Sequence, residues 1–107
     1  MSEAWIDVCA ADDIDVEDVI EVQAGDVSVA VYRSPQDTFH ATEAKCTHGR
    51  ANLADGLVMG DVIECPKHNG RFDYRTGAAV RVPCLVALVT YPVRVDGGRV
   101  LVALPTG

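Results

Sequence analysis

Apolar and polar residues alternate over short distances along most of this chain. Val27-Ser28-Val29-Ala30-Val31-Tyr32 sets small or polar residues between β-branched ones, and Thr38-Phe39-His40-Ala41-Thr42 does the same on a smaller scale. Leu88-Val89-Thr90-Tyr91-Pro92-Val93-Arg94-Val95 and Arg99-Val100-Leu101-Val102-Ala103 form two further runs rich in β-formers. Period-two runs of this kind predict strands. Asp96-Gly97-Gly98 between the last two is a hairpin-turn signal, and Gly25-Asp26 reads as another tight turn. Only Ala11-Asp12-Asp13-Ile14-Asp15 reads as a helical turn, with acidic residues suited to the positive end of a helix dipole. The pattern therefore predicts an all-β chain with antiparallel strands near both ends. From Cys46 to Gly77 the runs shorten, and Gly49, Gly56, Gly60, Gly70 and Gly77 recur. Such a stretch reads as loops built closely around a ligand and set into a β scaffold.

The 107 residues fit one domain, expected to span 1–107. Nine basic against sixteen acidic side chains give a formal charge of −7. That balance argues against nucleic acid or an anionic membrane as partner, because both call for a basic face. No apolar run approaches the length of a membrane span. Met1-Ser2-Glu3-Ala4-Trp5 has neither the basic start nor the apolar core of an export signal, so the expected location is the cytoplasm. Four cysteines, Cys9, Cys46, Cys65 and Cys84, then point to a metal site rather than a disulfide framework.

Two segments carry the candidate chemistry. Cys46-Thr47-His48-Gly49 and Cys65-Pro66-Lys67-His68-Asn69-Gly70 read C-x-H, sixteen residues, C-x₂-H. Each supplies one thiolate and one imidazole, the donors that suit zinc or an iron–sulfur cluster. A Cys₂His₂ zinc site commonly pairs its cysteines in one segment and its histidines in another. Here each segment mixes the two, which favours a [2Fe–2S] centre with Cys₂ on one iron and His₂ on the other. A mononuclear site can still be built from the same four side chains.

These motifs resemble those of the Rieske ferredoxins of bacterial aromatic-ring-hydroxylating dioxygenase systems. The likeness is clearest in Cys46-Thr47-His48-Gly49, Leu53-Ala54-Asp55-Gly56, Gly60-Asp61-Val62-Ile63-Glu64-Cys65-Pro66, His68, Arg71-Phe72, Thr76-Gly77 and Tyr91-Pro92-Val93. The resemblance implies a Rieske fold of three antiparallel β-sheets with a small cluster-binding subdomain, about residues 45–80. It implies one [2Fe–2S] cluster per chain, with Cys46 and Cys65 on the inner iron and His48 and His68 on the outer. It also implies a monomeric one-electron carrier in aromatic hydrocarbon catabolism, not itself an enzyme. Such a carrier takes electrons from a flavin-containing reductase and passes them to a terminal Rieske oxygenase. Two other roles fit these residues: a Rieske small subunit of a nitrite-reductase-like complex, and a zinc-stabilised binding module.

Absences refine the reading. Rieske proteins of respiratory complexes carry two more cysteines that brace the ligand loops, and the matching positions here are Ala51 and Lys67. They also carry hydroxyls two and four residues beyond the second histidine, where this chain has Gly70 and Phe72. Hydroxyls that donate to sulfur stabilise the reduced cluster, so their absence predicts a potential low in the Rieske range, roughly −150 mV. Six of the nine basic residues (Lys45, Arg50, Lys67, Arg71, Arg75 and Arg81) fall between 45 and 81. That stretch has four acids, whereas Glu3 to Glu43 holds eleven acids and only Arg33 as a base. A mildly positive docking end, centred on Arg50 and Lys67, on an acidic body is one reading, and ordinary solvated charge is the other. Cys9 and Cys84 are expected as buried apolar side chains, His40 as a solvent-facing or locally bonded strand residue, and Trp5 as a core anchor. The resemblance implies that Val82-Pro83-Cys84 forms a proline-containing loop covering the cluster, and a simple turn before the Leu85–Val95 run is the other reading.

Overall fold

The computed structural model describes residues 3–47, 51–66, 70–82 and 86–105. Eleven strands occur among them: β1 (Glu3–Ala10), β2 (Asp18–Ala24), β3 (Val27–Arg33), β4 (Phe39–Glu43), β5 (Leu57–Met59), β6 (Val62–Glu64), β7 (Arg71–Asp73), β8 (Ala79–Arg81), β9 (Thr90–Tyr91), β10 (Val93–Asp96) and β11 (Arg99–Pro105). Short 3₁₀ turns cover Ala11–Asp13 and Leu53–Asp55. The strands form three sheets, ordered β1-β11-β10, β2-β3-β4-β9 and β5-β6-β7-β8, with every pairing antiparallel.

β3 explains how the sheets stack. Successive side chains of a strand point to opposite faces. Val29 and Val31 join one core, with Cys9, Ile14, Ala24, Ala41, Val100 and Val102. Ala30 and Tyr32 join the other, with Cys46, Leu53, Ile63, Cys65, Phe72, Tyr74 and Leu88. The second sheet is thus packed on both faces, and one core belongs to the segments that carry the cysteine motifs. The third sheet uses only residues from Leu57 to Arg81, so it is an insertion between β4 and β9.

The predicted all-β architecture and terminal hairpin are present. Gly97 and Gly98 both take positive φ, 58° and 79°, and Asp96 pairs with Arg99 across them. Two consecutive left-handed residues are what a tight hairpin turn requires. Leu88–Val95 is not one strand. Pro92 has no N–H to give a ladder. The chain leaves the second sheet after β9 and enters the first as β10, while the Pro92 carbonyl accepts a bond from Ala103 N–H at 2.9 Å. Trp5 is also not a core anchor. It is 37 % exposed on β1, with the Arg94 guanidinium 4.7 Å over its ring. Cys9 is a buried free thiol whose pKa burial pushes up, as expected of an inert apolar side chain. No helix among the described residues is long and apolar enough to cross a membrane.

Candidate metal centre

The two cysteine segments sit at the tips of matched hairpins. β6 and β7 pair through Glu64 and Arg71, and one step further the Cys65 N–H donates to the Gly70 carbonyl at 2.7 Å. In the other segment Lys45 and Asn52 form an isolated bridge, and one step further the Cys46 N–H donates to the Ala51 carbonyl at 2.8 Å. Each cysteine is therefore the first residue of a six-residue tip closed by the same main-chain bond. In sequence, the motif histidines His48 and His68 fall between the bonded residues of the first and second segment respectively.

Cys46 and Cys65 are 2 % and 1 % exposed, and both belong to the core that includes Tyr32, Leu53, Ile63, Phe72, Tyr74 and Leu88. Two soft donors held on rigid hairpin bases inside one apolar core fit the thiolate half of an iron–sulfur site. His48 and His68 lie outside the described residues, as do Arg50, Lys67, Pro83 and Cys84. Ala51 is half-buried against the same core. Phe72 is fully buried beyond the second tip, so that position contributes packing rather than a hydroxyl.

Aromatic side chains back the site. Tyr32 and Tyr74 stack face to face, with centroids 4.6 Å apart and planes 5° from parallel. The Thr42 hydroxyl donates to the Glu43 carbonyl at 2.8 Å, so the Tyr32 hydroxyl, 2.8 Å from Thr42 Oγ1, is the donor in that contact. Burial pushes both phenols up, Tyr74 to about 12, so both stay neutral at ordinary pH. The Tyr74 hydroxyl donates to the Gly60 carbonyl, and the Gly60 N–H donates to Glu17 at 2.8 Å. Asn52, next to the first tip, donates to Glu21 at 2.7 Å. Acids before and within β2 thus tie down both the first tip and the β5–β6 turn.

The segment 86–89 runs beside the first tip. The Thr47 hydroxyl donates to the Val86 carbonyl at 2.6 Å. Glu43 N–H donates to the Val89 carbonyl at 2.9 Å, and Val89 N–H donates to the Glu43 carboxylate at 2.7 Å. Sequence reasoning passed over Glu43, Tyr32 and Tyr74. Glu43 is one acid among many, and nothing local marks the tyrosines as partners across 42 positions.

The basic residues are less free than their number implies. Arg71 pairs with Glu64 at 2.9 Å, and Arg75 pairs with Asp73 at 2.9 Å and Asp61 at 3.3 Å. The Arg75 guanidinium holds the Asp73 carboxyl below the usual range. Lys45 and Arg81 are exposed. His40 is locally bonded, its Nε2 2.9 Å from the Thr38 hydroxyl.

Comparison with known proteins agrees with this geometry. Residues 4–92 match the Rieske [2Fe-2S] domain family. The chain is 45 % identical over 104 residues to ferredoxin CarAc of Metapseudomonas resinovorans, covering 96 % of each. It is 41 % identical over 104 residues to the ferredoxin component of the naphthalene 1,2-dioxygenase system of Pseudomonas aeruginosa, covering 97 % of this chain and 99 % of that one. Among solved structures it is similar to a complex of reduced oxygenase and oxidized ferredoxin in carbazole 1,9a-dioxygenase, at 46 % identity and a TM-score of 0.86 over 92 % of each chain.

Proposed function

The chain belongs to the Rieske [2Fe–2S] family, and from that premise we propose that it carries single electrons to the terminal oxygenase of an aromatic-ring dioxygenase system. One [2Fe–2S] cluster per chain supplies the one-electron chemistry when bound. The protein is an electron-transfer component and not itself a catalyst. The observation that carries the reading is the pair of matched hairpin tips, each presenting a buried cysteine to one core.

Cys46 and Cys65 bind as thiolates from the buried side, and His48 and His68 complete the ligand set. Neutral imidazoles in place of two thiolates make the reduced state easier to reach than in an all-cysteine centre. Residues 45–80 act as a cluster-binding subdomain within one Rieske domain spanning 1–107. The potential is low for the class, roughly −150 mV. Two features support that value: Gly70 and Phe72 supply no hydroxyl, and the Tyr74 hydroxyl is given to Gly60. Electrons come from a flavin-containing reductase, the oxygenase partner is favoured by the named partner of the similar carbazole ferredoxin, and the carrier works as a monomer in the cytoplasm.

Purified protein tests this directly. We expect a brown protein with iron and acid-labile sulfide in equal amounts, and a reduced EPR signal whose average g lies below the free-electron value. Cys46→Ser and Cys65→Ser should each abolish the colour. The reduced protein should be reoxidised on mixing with a separately purified oxygenase. A colourless protein containing zinc would sink the redox reading, and co-purification in fixed ratio with a large reductase subunit would replace the free carrier by a complex-bound one. A midpoint potential above roughly +100 mV would remove the low-potential assignment.

A further inference from the structure

The segment 86–89 lies outside any strand, yet it meets the cysteine core at close quarters. Of its four residues only Leu88 is buried, and Leu88 belongs to the same core as Cys46 and Cys65. Val86 and Val89 are 64 % and 55 % exposed, so their own side chains contribute little to holding the segment in place. What remains is hydrogen bonding. Leu88 N–H donates to the Gly77 carbonyl at 2.8 Å, and Glu43 N–H to the Val89 carbonyl at 2.9 Å. Among the described residues two side-chain bonds add to these, from Val89 N–H to Glu43 at 2.7 Å and from Thr47 to the Val86 carbonyl at 2.6 Å. Both side chains come from the five residues that contain Cys46.

We propose that Glu43 and Thr47 are positioning residues that clamp the 86–89 segment against the first ligand tip, keeping Leu88 seated beside the cysteines. The inference rests on the cluster reading above. Glu43 grips Val89 with its amide and its carboxylate at once, and its own carbonyl accepts the Thr42 hydroxyl, which Tyr32 backs from the core. A charge-assisted bond of this type is the stronger kind. Gly77 closes the clamp from the other side, because a Cβ there would stand 2.2 Å from the Leu88 carbonyl oxygen. With Ala51 and Lys67 at the two positions where respiratory Rieske proteins carry the bracing cysteines, the clamp is a non-covalent brace for the tip. Seating Leu88 limits water at the thiolates, and solvent access near a metal centre acts on its potential.

The test uses the holoprotein and four variants. Glu43→Ala and Thr47→Val remove the bonds, whereas Glu43→Gln and Thr47→Ser keep an acceptor and a hydroxyl. Three quantities are read: hydrogen exchange at the Val89 amide, loss of visible absorbance under excess EDTA, and midpoint potential. Glu43→Ala should speed Val89 exchange by about tenfold, from the worth of a hydrogen bond to a charged group. Absorbance should be lost several-fold faster and the potential should rise as water stabilises the more negative reduced site. Thr47→Val should move absorbance loss and potential in the same direction, and the two conservative variants should stay near wild type. Should Glu43→Ala fail to fold, Thr47→Val decides by absorbance loss and potential. Unchanged values in the bond-removing variants, or Glu43→Gln behaving as Glu43→Ala, would overturn the clamp. A protein without iron would instead overturn the cluster reading, and Val89 exchange would still decide the clamp.

Discussion

His40 stands in β4 with its ring tilted against Tyr74 at a centroid distance of 5.6 Å. Burial lowers its pKa from 6.5; Arg75 lowers it further, and Asp61 and Asp73 oppose. A histidine whose folded pKa lies below its unfolded one binds protons more readily when unfolded. Its neutral form therefore favours folding above the unfolded value near 6.5, and that advantage is lost as pH falls through that value toward the folded pKa. The urea midpoint should fall as pH drops below about 6.5, and His40→Gln should flatten this step. The lowered carboxyls of Asp73 and Asp7, each hydrogen-bonded to an arginine, contribute a separate loss at lower pH, from the ordinary value of 3.8 downward. An equally steep fall in the His40→Gln variant would assign the step elsewhere. Tyr32→Phe offers a second test at this scale. It removes the donor that Thr42 accepts and leaves a buried hydroxyl oxygen short of a partner, which should cost about 1–2 kcal/mol in a urea titration.

At the scale of elements, close backbone packing separates one glycine from another. Gly77 has φ +84°, and a Cβ there would meet the Leu88 carbonyl oxygen at 2.2 Å. Gly97 has φ +58° with nothing within 4 Å of the same position. Gly97→Ala should therefore cost only the left-handed backbone penalty, about 1–2 kcal/mol. Gly77→Ala adds overpacking of about 1–3 kcal/mol and should displace the segment beside the cysteines. Equal denaturation midpoints for the two variants would remove this distinction. The same elements mark what local pattern conveys. The alternation of Val27–Tyr32 was readable because it is uninterrupted, although it does not reveal that both faces are buried. β1 escaped because acids dot it and a bulge between Asp7 and Cys9 breaks its register. β2 was passed over because the exposed acids Asp18 and Glu21, one on each face, interrupt its apolar alternation. The cysteine motifs were legible because donor type and spacing are local properties. The clamp at Glu43 was not, since it joins residues 46 positions apart through one ordinary acid.

Across the whole molecule, charge is segregated, and the structure narrows which charges can steer a partner. Asp12, Asp13, Asp15, Glu17, Asp18 and Glu21 are exposed in the acidic part of the chain. Near the ligand tips, Arg71 and Arg75 are taken up by Glu64, Asp61 and Asp73, leaving exposed Lys45 and Arg81 among the described bases. Lys45 directly precedes Cys46, so its charge lies at the base of the first ligand tip. If encounter with an oxygenase is steered by this end, Lys45→Glu should slow the oxygenase's reduction at least about threefold at low salt. Arg94→Glu makes the same change of charge on β10, in the sheet β1-β11-β10 that contains neither Cys46 nor Cys65, and should leave the rate nearly unchanged. Stopped-flow traces across a salt series distinguish steering from damage. The Lys45→Glu deficit should close toward 1 M salt, where the screening length falls to about 3 Å. A deficit that persists at high salt would mean the substitution disturbed the tip itself, and equal effects from both variants would mean that only net charge matters.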